Sequence, residues 1–360
     1  MAGPNTGPGA GPGAGSEAGP DAEPGAAPVR LRIDAPLHDL GDGISVRRVL
    51  PSPARLAVGP FVLLDHLGPV TLPAEVPFDV RPHPHIGLAT LTYLWEGRVE
   101  HRDGLGVTQT IEPGTVNLMS AGAGIVHSER TDARDRGKPR AMHGLQIWLV
   151  PPLARETDPP TFTHTTAAQL PTLQPAGARA GSGGAPRLRL VAGTAFGERS
   201  PVPVAGELFY VDVQLPDGAS VPLDRTHRQR AIYVVGGTVR IRADGGIAGA
   251  DSTRADDGTT RVDDGTTFGT ASAGTMLLFE PAAPVRIEAI GAAHLVMLGG
   301  APIDAPRHLW WNFAASSAER IEQAKRDWTA FRWPMVTGDD EFIPLPAPHE
   351  RTLVTLHGDW

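Results

Sequence analysis

Short runs of apolar and β-branched residues, each bounded by Gly or Pro, recur along most of the chain. They occupy residues 45–50, 89–94, 108–111, 116–119 and 144–150, then 208–215, 231–235, 238–242, 276–279, 285–289 and 294–298. Runs of this length between turn residues predict β-strands. Two series of strands on either side of a central weak segment predict an all-β chain with two units, each a sandwich or a barrel.

One helix is predicted near the C-terminus. Ser316 and Glu319 have the spacing of a capping box, which marks the start of a helix. Behind them, Ile321, Ala324 and Trp328 recur at helical spacing and fall on one face. We therefore expect a C-terminal helix that packs this apolar face on a barrel.

Three segments have compositions that do not favour a packed core. Residues 1–28 are mostly Gly, Pro and Ala and are predicted to be a disordered tail. A Gly- and Ala-rich stretch marks a linker, and a near repeat rich in Asp, Gly and Thr predicts an inserted loop at 244–273. The expected division is a first barrel domain at 29–155, a linker at 156–186, a second at 187–303, and a helix with a tail at 304–360.

Charge and composition exclude several classes of protein. The formal net charge of −8 and the lack of a basic stripe argue against a general nucleic-acid binder. The chain has no cysteine, so any metal site must use nitrogen and oxygen donors. No apolar stretch approaches 18 residues and no secretory signal pattern is visible, so the expected protein is cytoplasmic and does not contact membranes.

Two pairs of side chains suggest a metal site. His83 and His85 are two residues apart, and so are His127 and Glu129. In an extended chain such residues point to the same face, so each pair projects together. Thirteen histidines in 360 residues produce chance pairs, and either pair alone is weak evidence. Both pairs together, beside Gly-containing turns and separated by strands, predict four ligands that converge inside one barrel.

The donor set restricts the chemistry of the predicted site. Three imidazoles and one carboxylate suit a divalent ion such as iron, nickel, manganese, copper or zinc. An octahedral ion with four protein ligands keeps about two positions open, which suits binding of substrate or dioxygen. A structural zinc site would normally be closed. Glu129 is thus a candidate ligand.

The other histidines are given structural roles. His101 lies at a predicted turn, where it either lines the pocket or, as we favour, bonds the turn backbone. His66 and His143 are interpreted as structural. His227 and His294 have no paired partner, so no second metal site is predicted.

Several segments of the sequence resemble the pirin family. They are 61–69 (Phe-Val-Leu-Leu-Asp-His-Leu-Gly-Pro), 83–87 (His-Pro-His-Ile-Gly), 91–94 (Leu-Thr-Tyr-Leu), 96–97 (Glu-Gly), 100–103 (Glu-His-Arg-Asp), 122–129 (Gly-Ala-Gly-Ile-Val-His-Ser-Glu), 143–148 (His-Gly-Leu-Gln-Ile-Trp), 310–313 (Trp-Trp-Asn-Phe) and 343–346 (Ile-Pro-Leu-Pro). The last two are similar to a bacterial pirin-like branch. The resemblance covers roughly residues 31–346, apart from the linker and the inserted loop.

The resemblance implies a bicupin, in which two cupin barrels lie face to face and the N-terminal barrel holds one metal ion, usually iron. By motif, the implied ligands are His83, His85, His127 and Glu129. Many cupins place a glutamate four or five residues after His-x-His, where this chain has Ala89 or Thr90. The carboxylate is therefore expected from Glu129, in keeping with the pirin pattern. The second barrel lacks His-x-His and is expected to be structural.

Two functions follow from the resemblance, and they belong to different classes. Some pirins resemble quercetin 2,3-dioxygenases, which implies Fe(II), with nickel, manganese, copper or zinc as alternatives, and cleavage of a flavonol by dioxygen with release of carbon monoxide. In that reaction Glu129 is expected to be the catalytic residue that accepts the proton of the flavonol 3-hydroxyl. Other pirins are described as iron-dependent redox sensors that regulate transcription or bind metabolic enzymes, which implies a protein partner. A metal-stabilised scaffold without turnover is a third interpretation, and the open coordination positions count against it. A monomer is expected.

Overall fold

The computed structural model describes residues 28–41, 44–244, 267–347 and 352–358. Within these ranges the chain has twenty-four strands, one α-helix, and two single-turn 3-10 helices at Leu153–Arg155 and Ala167–Gln169. Two predicted segments lie outside the described residues. They are the tail, except for residue 28, and residues 245–266 of the inserted loop.

Two facing sheets from the first half of the chain form the N-terminal barrel. The strands of this half of the chain are β1 (Val29–Asp34), β2 (Leu37–Gly41), β3 (Ile44–Leu50), β4 (Phe61–Leu72), β5 (Val80–His85), β6 (Ala89–Glu96), β7 (Val99–Asp103), β8 (Thr108–Ile111), β9 (Val116–Ser120), β10 (Ile125–Thr131), β11 (Arg140–Leu149) and β12 (Thr161–Thr165). All of them except β1 belong to these two sheets. The sheets have the orders β12-β9-β6-β11-β4-β3-β2 and β5-β10-β7-β8. Leu67, Leu94, Val99 and Ile111 pack between them. The prediction of a first all-β unit is confirmed.

The second half of the chain forms a ten-stranded sheet that encloses its own core. Its further strands are β13 (Thr172–Leu173), β14 (Arg187–Ala195), β15 (Glu198–Arg199), β16 (Leu208–Leu215), β17 (Ser220–Pro222), β18 (Gln229–Ala243), β19 (Thr267–Ser272), β20 (Thr275–Phe279) and β21 (Val285–Gly300). The main order is β1-β20-β18-β21-β16-β14-β13. Strand β1 therefore pairs in the second sheet, although the sequence assigned residues 29–155 to the first domain. It covers the edge of β20, which would otherwise expose unpaired backbone groups.

Two pairs of predicted strands are single long strands. Residues 231–235 and 238–242 both belong to β18, and residues 285–289 and 294–298 both belong to β21. The two strands pair along most of their length, with register shifts around Gly236. Gly237 has a positive φ of 76°. The prediction of a break at this glycine pair was wrong, because the glycines form a bulge and not a turn.

Regular structure extends into the stretch predicted as a linker, residues 156–186. Strand β12 pairs with β9 of the N-terminal barrel, and β13 pairs with β14 of the second sheet. The predicted inserted loop likewise contains β19, which pairs with β18.

The C-terminal segment returns to the N-terminal barrel. It comprises β22 (Arg307–Trp310), β23 (Phe313–Ala315), helix α1 (Ala318–Thr329) and β24 (Val354–Leu356). The helix buries Ile321, Ala324 and Trp328, as predicted. Its N-cap is Ser317, whose hydroxyl accepts a hydrogen bond from the backbone N–H of Arg320. The prediction of Ser316 as the cap was wrong by one residue, because the Ser316 hydroxyl bonds Glu156 instead.

The barrels meet through a shared core. Leu64, Tyr93 and Leu145 of the first pack with Tyr210 and Val296 of the second. No helix in the described part of the chain has the length and apolar character needed to cross a membrane.

Candidate metal centre

Three histidines converge inside the N-terminal barrel. His83 and His85 lie on β5, and His127 lies on β10, the neighbouring antiparallel strand. The pairing sets His127 directly opposite His83. One ligand nitrogen from each ring lies within 4.8 Å of the others, and Nε2 of His85 is 3.1 Å from Nε2 of His127. The alternation of strand side chains therefore brings together the three histidines that the sequence singled out.

The outward nitrogens of His83 and His85 are held by backbone carbonyls. Nδ1 of His83 is 2.8 Å from the carbonyl oxygen of Arg81, and Nδ1 of His85 is 3.1 Å from that of Asn312. A carbonyl oxygen only accepts, so each ring donates from Nδ1. The lone pairs on Nε2 are then directed into the cluster. Such outer hydrogen bonds orient histidines that bind metals.

The cluster is buried, and burial favours neutral rings. His83, His85 and His127 are 7%, 1% and 1% exposed. Burial lowers the pKa of His83 to about 4 and holds the pKa of His85 and of His127 well below the usual range. Repulsion between neighbouring histidines adds to the effect. At neutral pH the rings are uncharged, which is the form that binds a metal.

Glu129 lies on the same strand as His127 but is not one of the three clustered ligands. A register shift between β10 and β5 falls between His127 and Glu129, so Glu129 pairs with Val80. Its side chain is half-buried, and burial raises its pKa to about 7. The structure thus brings together three of the four predicted ligands. The fourth, Glu129, lies two residues after His127 on β10 and outside the cluster.

His101 and Asp103, on β7, adjoin the cluster. Nδ1 of His101 is 3.3 Å from Nδ1 of His127, and its Nε2 is 3.0 Å from Oδ2 of Asp103. The favoured interpretation of His101 as a residue that bonds the turn backbone was wrong. Asp103 makes those bonds, to the N–H groups of Leu105 and Val107. The His-x-Asp spacing, the same as in His-x-His, was the available signal.

The C-terminal segment supports the outer face of the metal-site sheet. Ile86 and Val126 project away from the histidines and pack with Phe313 and Trp328. Gly124, just before β10, leaves room for Trp333, whose Nε1 would lie 2.2 Å from an added Cβ. The outer face of the β5–β10 pair is therefore covered, and the histidines are held on a rigid element.

A cavity of about 450 Å³ lies beside the barrel but outside the metal centre. Thr161 and Thr163 of β12 line it. Phe162, between them, points the opposite way and stacks on His101 with ring centroids 4.5 Å apart. The cavity and the histidine cluster thus lie on opposite faces of β12.

The residues present fit a divalent metal ion. The cluster supplies three neutral nitrogen donors with fixed tautomers at two positions, a donor set typical of first-row divalent metals. It is the only group of three or more potential ligands found among the described residues. His66 and His143, predicted to be structural, bond each other where the barrels meet, 3.0 Å apart at Nε2.

The chain matches the Pirin family over residues 43–149 and the Pirin C-terminal cupin domain over residues 210–334. A pirin-like protein of Caulobacter vibrioides is 41% identical over 323 residues, which cover 88% of this chain and 99% of that protein. A Pseudomonas aeruginosa protein named provisionally as a quercetin 2,3-dioxygenase is 31% identical over 298 residues, or 82% of each chain.

Solved structures show the same architecture. The crystal structure of quercetin 2,3-dioxygenase from Acinetobacter baumannii superposes with a TM-score of 0.72 at 26% identity, covering 88% of this chain and 95% of that one. The fold is therefore a bicupin with a C-terminal helix, as the sequence predicted. Together with the family matches, these relatives show that the chain belongs to the pirin family.

Proposed function

We propose that this pirin is a metal-dependent dioxygenase that cleaves quercetin or a related flavonol. The observation that carries the proposal is the convergence of His83, His85 and His127 in a buried cluster with neutral rings. We propose these three residues as ligands of one divalent ion per chain, with Glu129 as the fourth. Fe(II) is our proposed ion, with nickel, manganese, copper and zinc as alternatives that the same donors accept.

A divalent ion held by these residues would offer open coordination positions at which a flavonol oxygen and dioxygen can meet. The chain's own part is to hold the ion and to move one proton. We propose that the Glu129 carboxylate accepts the proton of the flavonol 3-hydroxyl. A carboxylate beside the ion is within reach of the flavonol hydroxyl, and it can leave and rejoin the coordination shell as it takes up and returns the proton.

Exposure indicates how a substrate reaches the site. His85 and His127 are nearly inaccessible, whereas Glu129 as a residue keeps part of its surface exposed. We therefore expect the flavonol to approach along Glu129, with its 3-hydroxyl leading. The products, a depside ester and carbon monoxide, together contain every atom of the flavonol and both atoms of dioxygen.

The relatives support this reaction in preference to a regulatory role. The similar structure from Acinetobacter baumannii carries the name quercetin 2,3-dioxygenase, and so, provisionally, does the Pseudomonas aeruginosa relative. The cytoplasmic location and the monomeric state expected from the sequence stay predictions.

The test is turnover under defined metal loading. The protein is purified without oxygen and loaded with Fe(II), and loss of quercetin is followed with release of carbon monoxide after air is admitted. His127→Ala is the test variant and His357→Gln, an exposed histidine, is the matched control. We expect equal amounts of carbon monoxide and lost quercetin, abolished only in His127→Ala. One bound ion per chain without loss of any flavonol would contradict the dioxygenase.

A further inference from the structure

The third histidine of the cluster has a different outer partner from the other two. His83 and His85 donate to carbonyl oxygens, which leaves them no alternative tautomer. Nδ1 of His127 instead faces Nδ1 of His101, at 3.3 Å. A neutral imidazole nitrogen either donates or accepts, so this contact alone does not fix where the proton of His127 lies.

Asp103 removes this ambiguity. Its Oδ2 lies 3.0 Å from Nε2 of His101, and an ionised carboxylate can only accept. His101 therefore carries its proton on Nε2 and presents a bare Nδ1 to His127. His127 then has one proton and two possible acceptors, Nδ1 of His101 and Nε2 of His85, the latter 3.1 Å from its own Nε2. His101 is the stronger acceptor, because its N–H donates to a carboxylate whereas that of His85 donates to a neutral carbonyl, so donation from Nδ1 of His127 is favoured.

The two supporting residues are themselves fixed. Asp103 is 1% exposed, and its Oδ1 accepts hydrogen bonds from the backbone N–H groups of Leu105 at 2.9 Å and Val107 at 3.1 Å. The His101 ring is 3% exposed and stacks on Phe162 with an interplanar angle of 23°. The carboxylate cannot turn without breaking two bonds. The stack fixes the plane of the ring, and a flip within that plane would break its bond to Asp103.

We propose that Asp103 and His101 act as positioning residues, through two hydrogen bonds in series that keep the proton of His127 on Nδ1 and its Nε2 free for a metal. The negative charge of Asp103 acts on His127 through His101. It makes Nε2 of His127 a stronger electron-pair donor to a metal than Nε2 of His83 or His85, whose N–H groups donate to neutral carbonyls. The inference rests on the metal site proposed above and does not depend on dioxygenase activity.

The two hydrogen bonds that link Asp103, His101 and His127 are called the relay below. Asp103→Asn tests the relay, because it reverses the direction of both hydrogen bonds with little change in the shape of the side chain. The two backbone N–H groups retain the amide oxygen at the Oδ1 position, so the amide NH₂ faces Nε2 of His101. His101 must then accept at Nε2 and donate from Nδ1. His127 becomes the acceptor at Nδ1, and its proton moves to Nε2, the atom that would bind the metal. A similar Asp-to-Asn change puts the wrong histidine tautomer in a serine protease triad.

The first readout is the tautomer of His127 in the metal-free protein. Nitrogen-15 NMR of histidine rings distinguishes the two tautomers, and the His127 signals are assigned by their loss in His127→Ala. We expect Nδ1–H in the wild type and Nε2–H in Asp103→Asn. An Nε2–H tautomer in the wild type would overturn the relay, and this result does not require the variant to fold or a metal to bind.

The second readout is metal affinity, measured by competition for Co(II) with a chelator. We expect Asp103→Asn to bind about 10- to 100-fold more weakly than the wild type, the usual effect of losing an outer partner. Asp65→Asn is the matched control, because Asp65 is a buried carboxylate of the same barrel that bonds Arg48. It should leave affinity and tautomer unchanged. An affinity of Asp103→Asn within twofold of the wild type, or an unchanged tautomer, would overturn the proposal.

Discussion

The burial of a neutral His66 is expected to make the metal-free protein less stable in mild acid. His66, on β4, is 3% exposed, and its Nδ1 lies 2.8 Å from the hydroxyl of Tyr233 on the second barrel. Its Nε2 lies 3.0 Å from Nε2 of His143. Burial lowers the pKa of His66 to about 3, and repulsion from His143, Arg47 and His294 adds to this. The folded protein therefore resists a proton that the unfolded chain accepts readily.

The sign and size of the effect follow from proton linkage. The unfolded chain has the ordinary histidine pKa of 6.5, so it binds more protons than the folded state below that pH. The stability that depends on neutral His66 is complete above pH 6.5 and is lost as the pH falls from 6.5 towards 3. At pH 5 the two pKa values imply a loss of about 2 kcal/mol, and at pH 7.5 almost none.

Urea unfolding of the metal-free protein at pH 7.5 and pH 5.0 measures this loss. His66→Gln keeps an acceptor for Tyr233 and a donor for His143 but does not titrate. We expect the wild type to lose about 2 kcal/mol more between the two pH values than His66→Gln does. His357→Gln, at an exposed position, should behave like the wild type. An equal loss in the wild type and in His66→Gln would refute the burial argument.

Three further predictions concern the metal-site strand and the C-terminal segment. Arg130→Ala leaves Asp339 buried without the guanidinium that lies 2.6 Å away, so the free energy of unfolding in urea should fall by about 3 kcal/mol. A fall below about 1 kcal/mol would contradict the role of this ion pair. Ser317→Ala removes the helix cap and should lower the free energy of unfolding by about 1 kcal/mol, whereas no change would argue against Ser317 as the cap. Glu129→Gln removes the proposed proton acceptor and should lower flavonol turnover by about 10²- to 10⁴-fold at matched metal content. Unchanged turnover would exclude Glu129 as the proton acceptor.

Local periodicity predicted the part of the site that depends on one or two strands. His83 and His85 share a face because they are two residues apart, and that rule needs no knowledge of the rest of the fold. The contact from His85 to the carbonyl of Asn312 spans 227 positions in the sequence. No pattern within β5 indicates it, because it depends on how the C-terminal segment returns to the first barrel.

The errors in the sequence predictions have a common physical origin. Gly236 and Gly237 were read as a break, but pairing with β21 continues past them, so tertiary context overrode a local turn signal. His101 was assigned to a turn because Asp103 and Gly104 follow it, yet β7 continues to Asp103. Strand β1 pairs with β20, about 240 positions away, which the division into two consecutive domains did not anticipate.

Metal content tests the central claim most directly. The wild type and His83→Ala are purified without oxygen and offered Fe(II), Ni(II), Mn(II), Cu(II) and Zn(II) in turn, and bound metal is counted by mass spectrometry after exhaustive dialysis. The account predicts close to one divalent ion per wild-type chain for at least one of these metals, and a large reduction in His83→Ala. A wild-type protein that retains no stoichiometric metal, or a His83→Ala variant that retains as much as the wild type, would contradict it.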